Sequence, residues 1–190
     1  MATTEFHNKL VSIANTQYTQ YRYFRENQNP LMSQINRYWK DLGFHFPGVQ
    51  TPWSAVFVSW CVKTAGATEV EFAYAKAHSE FVYQAIANTK KGVGLTKAFP
   101  PAEYAPQPGD IIQNNRSGND YDFAFAASHR SYESHSAIVV EVGSRGTERY
   151  AKTIGGNESD SVGMKEVPLD KEGFINDVHK IYISVLQINL

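Results

Sequence analysis

The chain has little cysteine, no apolar run long enough for a membrane and almost no excess of either charge, and each shortage removes a class of explanation. Its single cysteine, Cys61, excludes an intramolecular disulfide, so the stapled framework of small oxidised domains does not apply. At 190 residues the chain is nevertheless long enough to bury a core without staples or metals. The 18 basic and 19 acidic side chains leave a formal net charge of -1, so no long-range field recruits nucleic acid or anionic lipid. No stretch approaches the roughly 18 consecutive apolar residues of a membrane span, and Met1 to Val11 lacks the basic segment and apolar run of a general export signal. Nucleic acid and membrane are therefore not expected partners.

What is present reads as one α+β domain over residues 1–190. Residues 1–48 form a helical N-terminal scaffold and residues 51–190 the core that would carry chemistry. Phe6, Leu10, Ile13, Ala14, Tyr18, Tyr21 and Phe24 recur at three- and four-residue steps, which predicts an amphipathic helix from Thr3 to about Glu26. A second helix is expected from Pro30 to Leu42, before Gly43 and Pro47-Gly48. Thr51-Pro52 is a helix-start signal, a capping hydroxyl followed by a proline suited to the first helical position. The run Trp53 to Val62 is apolar almost all round, so this helix should be central and buried, ending near Gly66. A fourth helix is expected from about Phe72 to Asn88. After Pro106 to Gly109 the pattern becomes short β-like runs at 110–113, 136–142, 149–154, 162–167 and 179–188. Helices first and strands afterwards argue for helices packed on an antiparallel sheet. The polar and aromatic stretch Asn114 to Glu133 has no period and is read as a lid or binding loop.

Three residues stand where chemistry could be carried. Ser54 lies in the first turn of the central helix, where free amides and the positive end of the helix dipole could stabilise an oxyanion. His135 opens an apolar strand and could act as a rigidly held general base. Asn157, after Gly155-Gly156, could orient the imidazole, with Glu133, Glu158 and Asp160 as alternatives. Each residue alone is ordinary: serines in first turns, satisfied histidines and Gly-Gly-Asn turns are all common. His78-Ser79 could line the cleft, although a solvated helix-face histidine is the commoner outcome. His129, Glu133 and His135 make a zinc site imaginable, but their spacing fixes no shared face. Tyr121, Phe123, Phe125 and Tyr132 could pack on a sugar or a peptide, or on one another.

The order of these features is more specific than any one of them. Pro52-Trp53-Ser54-Ala55-Val56-Phe57-Val58-Ser59-Trp60 resembles the nucleophile helix of the NlpC and CHAP cell-wall amidase and endopeptidase superfamily, where a cysteine stands three residues before the phenylalanine. Pro108-Gly109-Asp110, then His135 with Ser136-Ala137-Ile138-Val139, then Gly155-Gly156-Asn157, match that superfamily's succession of turn, histidine strand and following strand. The resemblance covers about Thr51 to Val167. It implies a papain-like fold, a hydrolase of amide bonds in peptidoglycan stem peptides, and Ser54, His135 and Asn157 as catalytic residues. Trp53, His78, Tyr132 and Glu158 would bind substrate. No cofactor or metal is implied.

The departure from the pattern falls on the nucleophile itself. Ser54 occupies the cysteine position, and Cys61, two turns deeper on about the same face, is expected to be core. A thiol at a helix start ionises near neutrality beside histidine, whereas a serine depends wholly on its base. Three accounts of the serine stand: a native serine hydrolase, an inactive relative that binds cell wall or protein, and a serine introduced to silence a cysteine enzyme. The peptidoglycan peptide is the expected partner, and the chain is expected to act as a monomer. A wall substrate reached without a general signal implies delivery by a specialised secretion system or a phage, and with it a small immunity or inhibitor protein.

Overall fold

The computed structural model describes residues 4–190, and the expected helix start at Thr3 and the first residues of the stretch read for export lie outside them. Helix α1 (Glu5–Tyr21) begins at Thr4, whose hydroxyl accepts from the N–H of His7 while the His7 ring returns to the Thr4 amide. This reciprocal cap satisfies donors that a helix start otherwise leaves open. Its buried stripe of Phe6, Leu10 and Ala14 follows the period read from sequence. Helix α2 (Leu31–Asp41) turns Leu31, Ile35, Tyr38 and Trp39 inward.

Helix α3 (Ser54–Ala65) is buried from Ser54 to Val62 and stops at Gly66, which takes the left-handed conformation with φ 120°, a terminus glycine adopts without strain. Two expectations are corrected here. Thr51 does not cap this helix and Pro52 is not its first residue: the helix opens at Ser54 behind Trp53, with no side-chain cap. The fourth helix, α4, runs from His78 to Lys91, because the apolar residues Phe72 and Ala75 that suggested an earlier start are buried in the preceding loop.

Strands β1 (Thr96–Phe99), β2 (Ile111–Asn115), β3 (Ser134–Arg145), β4 (Glu148–Glu158), β5 (Ser161–Leu169) and β6 (Tyr182–Ile188) follow, with the short helix α5 (Phe123–Ala126) between β2 and β3. They form one six-stranded sheet in the order β1-β6-β2-β3-β4-β5, and every described pairing is antiparallel. The chain is thus α+β, helices against an antiparallel sheet.

The main core unites α1 to α4 with Ile111, Ile138, Ile154 and Leu186 of the sheet. A smaller cluster gathers Ile112, Val139, Ala151, Val167 and Val185. Neighbours such as Ile111 and Ile112 fall into different clusters because successive strand residues face opposite ways. Each large core side chain contributes on the order of 1.5–3 kcal/mol, so α3, enclosed on all sides, is the anchor of the molecule. No helix among the described residues is long and apolar enough to cross a membrane.

Candidate functional site

Two helix starts and one strand start converge. Ser54 is the first residue of α3, His78 the first of α4 and His135 the second of β3. The Ser54 hydroxyl lies 2.7 Å from Nε2 of His78. The His78 ring meets the His135 ring edge to face, centroids 5.3 Å apart. Nε2 of His135 lies 2.8 Å from Oε1 of Glu158, whose other oxygen is 2.5 Å from the Lys165 ammonium. The His135 contact falls off the axis of the ring N–H, so it is electrostatic rather than a directed hydrogen bond. The three inner residues are nearly closed off: Ser54, His78 and His135 expose 2%, 5% and 8% of their surfaces.

The sheet is shaped to admit this row. A Cβ at Gly155 would come within 2.9 Å of His135 Nε2 and 3.3 Å of Glu158 Oε1. A Cβ at Gly156 would press to 2.6 Å on Phe57 and Trp53. The Gly-Gly pair therefore lets the strand approach α3 and the imidazole at once. The β4–β5 register shifts between Gly155 and Glu158, an irregularity that redirects side chains.

Charge follows from burial. His78 is held well below its ordinary 6.5, first by burial, then by neighbouring His135 and the Arg116 guanidinium, so its imidazole is neutral and able to accept a proton. Burial opposes charge on Glu158, but contact with His135 and Lys165 outweighs it and brings the carboxyl down to about 2. Cys61 is fully buried and its thiol is pushed well up, the state of an inert core cysteine.

The start of α3 supplies unused donors. Its first main-chain bond runs from Phe57 N–H to Trp53 O with no side-chain cap, leaving the amides of Ser54 and Ala55 ahead of the helical ladder. Of the seven buried side-chain polar atoms without a hydrogen-bond partner among the described residues, four belong to the two touching histidines and the serine that follows each: His78 Nδ1, Ser79 Oγ, His135 Nε2 and Ser136 Oγ. Native interiors leave few such atoms, and their concentration marks a place where stability yields to another demand.

A groove of about 880 Å³ opens on Ser54 and His78, with Tyr132 and Ser134 on one wall and Phe44 and Pro52 among the others. The Tyr132 hydroxyl accepts from the Gln113 amide at 3.0 Å. Burial holds its phenol up at about 12, so its proton stays available to a ligand.

The residues singled out from sequence divide accordingly. Ser54, His78 and Tyr132 line the groove. His78 is not the solvated helix-face histidine expected but the partner of Ser54, because α4 starts at this residue and turns it inward. Ser54 and His135 share no hydrogen bond among the described residues; the His78 ring stands between them. Trp53 is corrected from substrate contact to core: it is fully buried and gives its indole N–H to Glu26 at 2.9 Å. Asn157 takes φ 56° at the strand irregularity and makes no side-chain hydrogen bond to His135; Glu158 meets that ring. Glu158 itself lines a separate cleft of about 530 Å³ with Tyr18 and Arg25.

Among the described residues no three His, Cys, Asp or Glu side chains are placed to share a metal ion; His129 stacks on Phe125 at 3.9 Å. Phe125 also stacks on Tyr121 at 4.1 Å and meets Tyr132 edge-on, so the aromatics of the Asn114 to Glu133 segment pack chiefly on one another. Sequence reasoning passed over Arg116 and Lys76, both in the groove wall; neither lies in a motif, and although Lys76 precedes His78 by two residues, only the fold brings Arg116 beside it.

A family model described as "Uncharacterized protein conserved in bacteria (DUF2272)" matches residues 16–184. No curated protein and no solved structure matches the chain.

Proposed function

The chain belongs to the DUF2272 family of bacterial proteins, and from that premise we propose that it is a serine hydrolase of amide bonds in peptidoglycan stem peptides, with a papain-like fold in which α3 is the nucleophile helix. One observation carries the reading: the 2.7 Å contact between Ser54 Oγ and His78 Nε2 at the floor of a groove, within the reach that general base catalysis requires. The ordered resemblance from Thr51 to Val167 supplies the substrate class.

The geometry performs the reaction as follows. With the His78 proton on Nδ1, Nε2 accepts the hydroxyl proton as Ser54 Oγ attacks the scissile carbonyl. The oxyanion forms at the open start of α3, where the Ser54 and Ala55 amides and the helix dipole oppose its charge. His78 then gives the proton to the departing amine, leaving an ester on Ser54. Water, deprotonated by His78, cleaves that ester and restores the serine. The base is therefore His78. The His135 ring packs edge-on against His78 and is held by the ionised Glu158, so it positions the base without sharing its proton, and Asn157 shapes the strand. The depressed basicity of His78 keeps it ready to accept but limits how long it holds a proton. It also makes His78 a weaker base than one whose proton affinity matches the operating pH.

The test compares the parent protein with Ser54→Ala, Ser54→Cys, His78→Ala and His135→Ala on purified peptidoglycan, with fragments read by mass spectrometry. Ser54→Ala and His78→Ala are expected to lose about 10³-fold or more of kcat, and His135→Ala less. Fragment release from Ser54→Ala equal to that of the parent removes Ser54 from the reaction. Activity seen only in Ser54→Cys means the serine stands at a silenced position.

A second reading rests on the 2% exposure of Ser54 and on the serine in place of cysteine: a non-catalytic module that binds wall fragments in the same groove. It predicts saturable binding and no turnover from any variant, Ser54→Cys included.

A further inference from the structure

The groove holds charges that the fold leaves unused. Arg22 lies over the rings of Tyr18 and Tyr23, Arg25 bonds the Ser159 carbonyl, Arg37 faces Asp41, Arg145 grips Glu166 and Arg149 reaches the Lys171 carbonyl. The guanidiniums of Arg116 and Arg130, by contrast, have no hydrogen bond or ion pair among the described residues, and of these two Arg116 lines the groove and lies close enough to His78 to disfavour its protonation. It stands directly after β2, at a turn closed by Asn119 N–H to Arg116 O and carried through Ser117 and Gly118 at positive φ, so the backbone presents it at the groove mouth. Lys76, two residues before His78, joins it. Its ammonium lies 5.7 Å from the Phe44 ring centre and has no carboxylate partner among the described residues. One acid, Glu133, lines the same groove, also without an ion-pair partner there. Two cations against one anion leave room for a single added negative charge, not for a polyanion.

We propose that Arg116, assisted by Lys76, is the recognition site for a free carboxylate on the peptide that occupies the groove, setting that carboxylate beside the Ser54–His78 pair. Guanidinium suits the role because its planar fork takes a carboxylate through two parallel hydrogen bonds, which fixes orientation as well as position. A carboxylate seated there also offsets the Arg116 charge, which adds to burial and His135 in holding the His78 proton affinity down, so a correct ligand makes the base stronger as it binds. This deepens the hydrolase reading and rests on it for the identity of the occupant, but binding can be measured without turnover.

The experiment measures calorimetric binding of a synthetic peptidoglycan stem pentapeptide with free carboxylates, and of its fully amidated counterpart, to the Ser54→Ala protein. Arg116→Ala and Arg116→Lys are then added on that background, with circular dichroism confirming the fold of each. The free acid is expected to bind at least about tenfold more tightly than the amide, Arg116→Ala to erase that ratio and Arg116→Lys to restore part of it. Equal binding of acid and amide, binding of neither, or a ratio untouched by Arg116→Ala overturns the proposal. Discrimination in binding without turnover by the parent protein would sink the hydrolase alone. Turnover without discrimination would sink the carboxylate site alone.

Discussion

At the scale of single residues the governing fact is that a buried, neutral histidine touches the serine. Burial penalises the imidazolium more than the imidazole, and His135 and Arg116 add to the penalty. The sign for activity follows directly. On the hydrolase proposal neutral His78 is the competent form, and its proton affinity is depressed, so the acid limb of kcat/KM against pH should fall below 6.5. Arg116→Ala removes one of the depressing charges and should move that limb upward. A limb at or above 6.5 in the parent protein would mean that some other group is the base. The sign for stability is the same: the unfolded chain takes up the His78 proton at 6.5 and the folded chain only well below, so stability declines as pH drops beneath 6.5. Glu158 acts lower on the scale, its stabilising charge being fully present above 4.5 and lost as pH falls toward about 2. How much of this was legible in the sequence depends on separation. Ser54 was legible because the helix start and its apolar surroundings are local. Its contact with His78, 24 residues on, arises only when α4 is laid beside α3, and His78 carried no local mark setting it apart from a solvated histidine.

Elements show the same division between local and tertiary control. The 3.6-residue period placed α2 closely but ran α1 on to about Glu26 where it ends at Tyr21, and strand alternation found β2 to β6. Strand β1 was missed because four residues, Thr96 to Phe99, are too few to establish a period; pairing with β6 defines them. The Thr51-Pro52 signal misplaced the start of α3 because capping preferences of about 1 kcal/mol yield to the burial of Trp53 and its bond to Glu26. The glycine pair on β4 permits a test that separates packing from chemistry. Gly156→Ala presses a methyl on Phe57 and Trp53, so it should cost about 1–3 kcal/mol of stability in urea unfolding. Gly155→Ala presses instead on His135 and Glu158. It should reduce kcat by more than its loss of stability accounts for, read by kinetics and unfolding on the same samples. Equal stability losses with activity untouched in Gly155→Ala would show that the His135–Glu158 contact is only structural.

For the whole molecule, the order β1-β6-β2-β3-β4-β5 was not legible, since it depends on the last strand entering between the first two. That insertion brings the chain end beside the Pro108-Gly109-Asp110 turn and buries Asp110 almost completely. Burial raises its carboxyl from 3.8 to about 7, against the pull of hydrogen bonds from the Gln107 amide, the Tyr104 hydroxyl and the Ile188 amide. The raised value runs opposite to those of His78 and Glu158. Asp110 contributes its full stability below pH 3.8 and loses it as pH rises through about 7, because the unfolded chain sheds the proton earlier than the folded one. The part of this displacement crossed between pH 5 and pH 8 corresponds to something on the order of 3 kcal/mol, or roughly 5–10 °C in melting temperature for a chain of this length. The Asp110 contribution therefore lowers the parent's melting temperature at pH 8 relative to pH 5, against the opposite pull of His78. Asp110→Asn, which keeps an oxygen for the Gln107 amide but has no proton to lose, should retain only the opposite trend set by His78, so its melting temperature at pH 8 relative to pH 5 should stand higher than the parent's. Thermal unfolding followed by circular dichroism at the two pH values decides the matter. A parent whose melting temperature shifts between the two values just as that of Asp110→Asn does would mean that the buried carboxylate is accommodated as an ion.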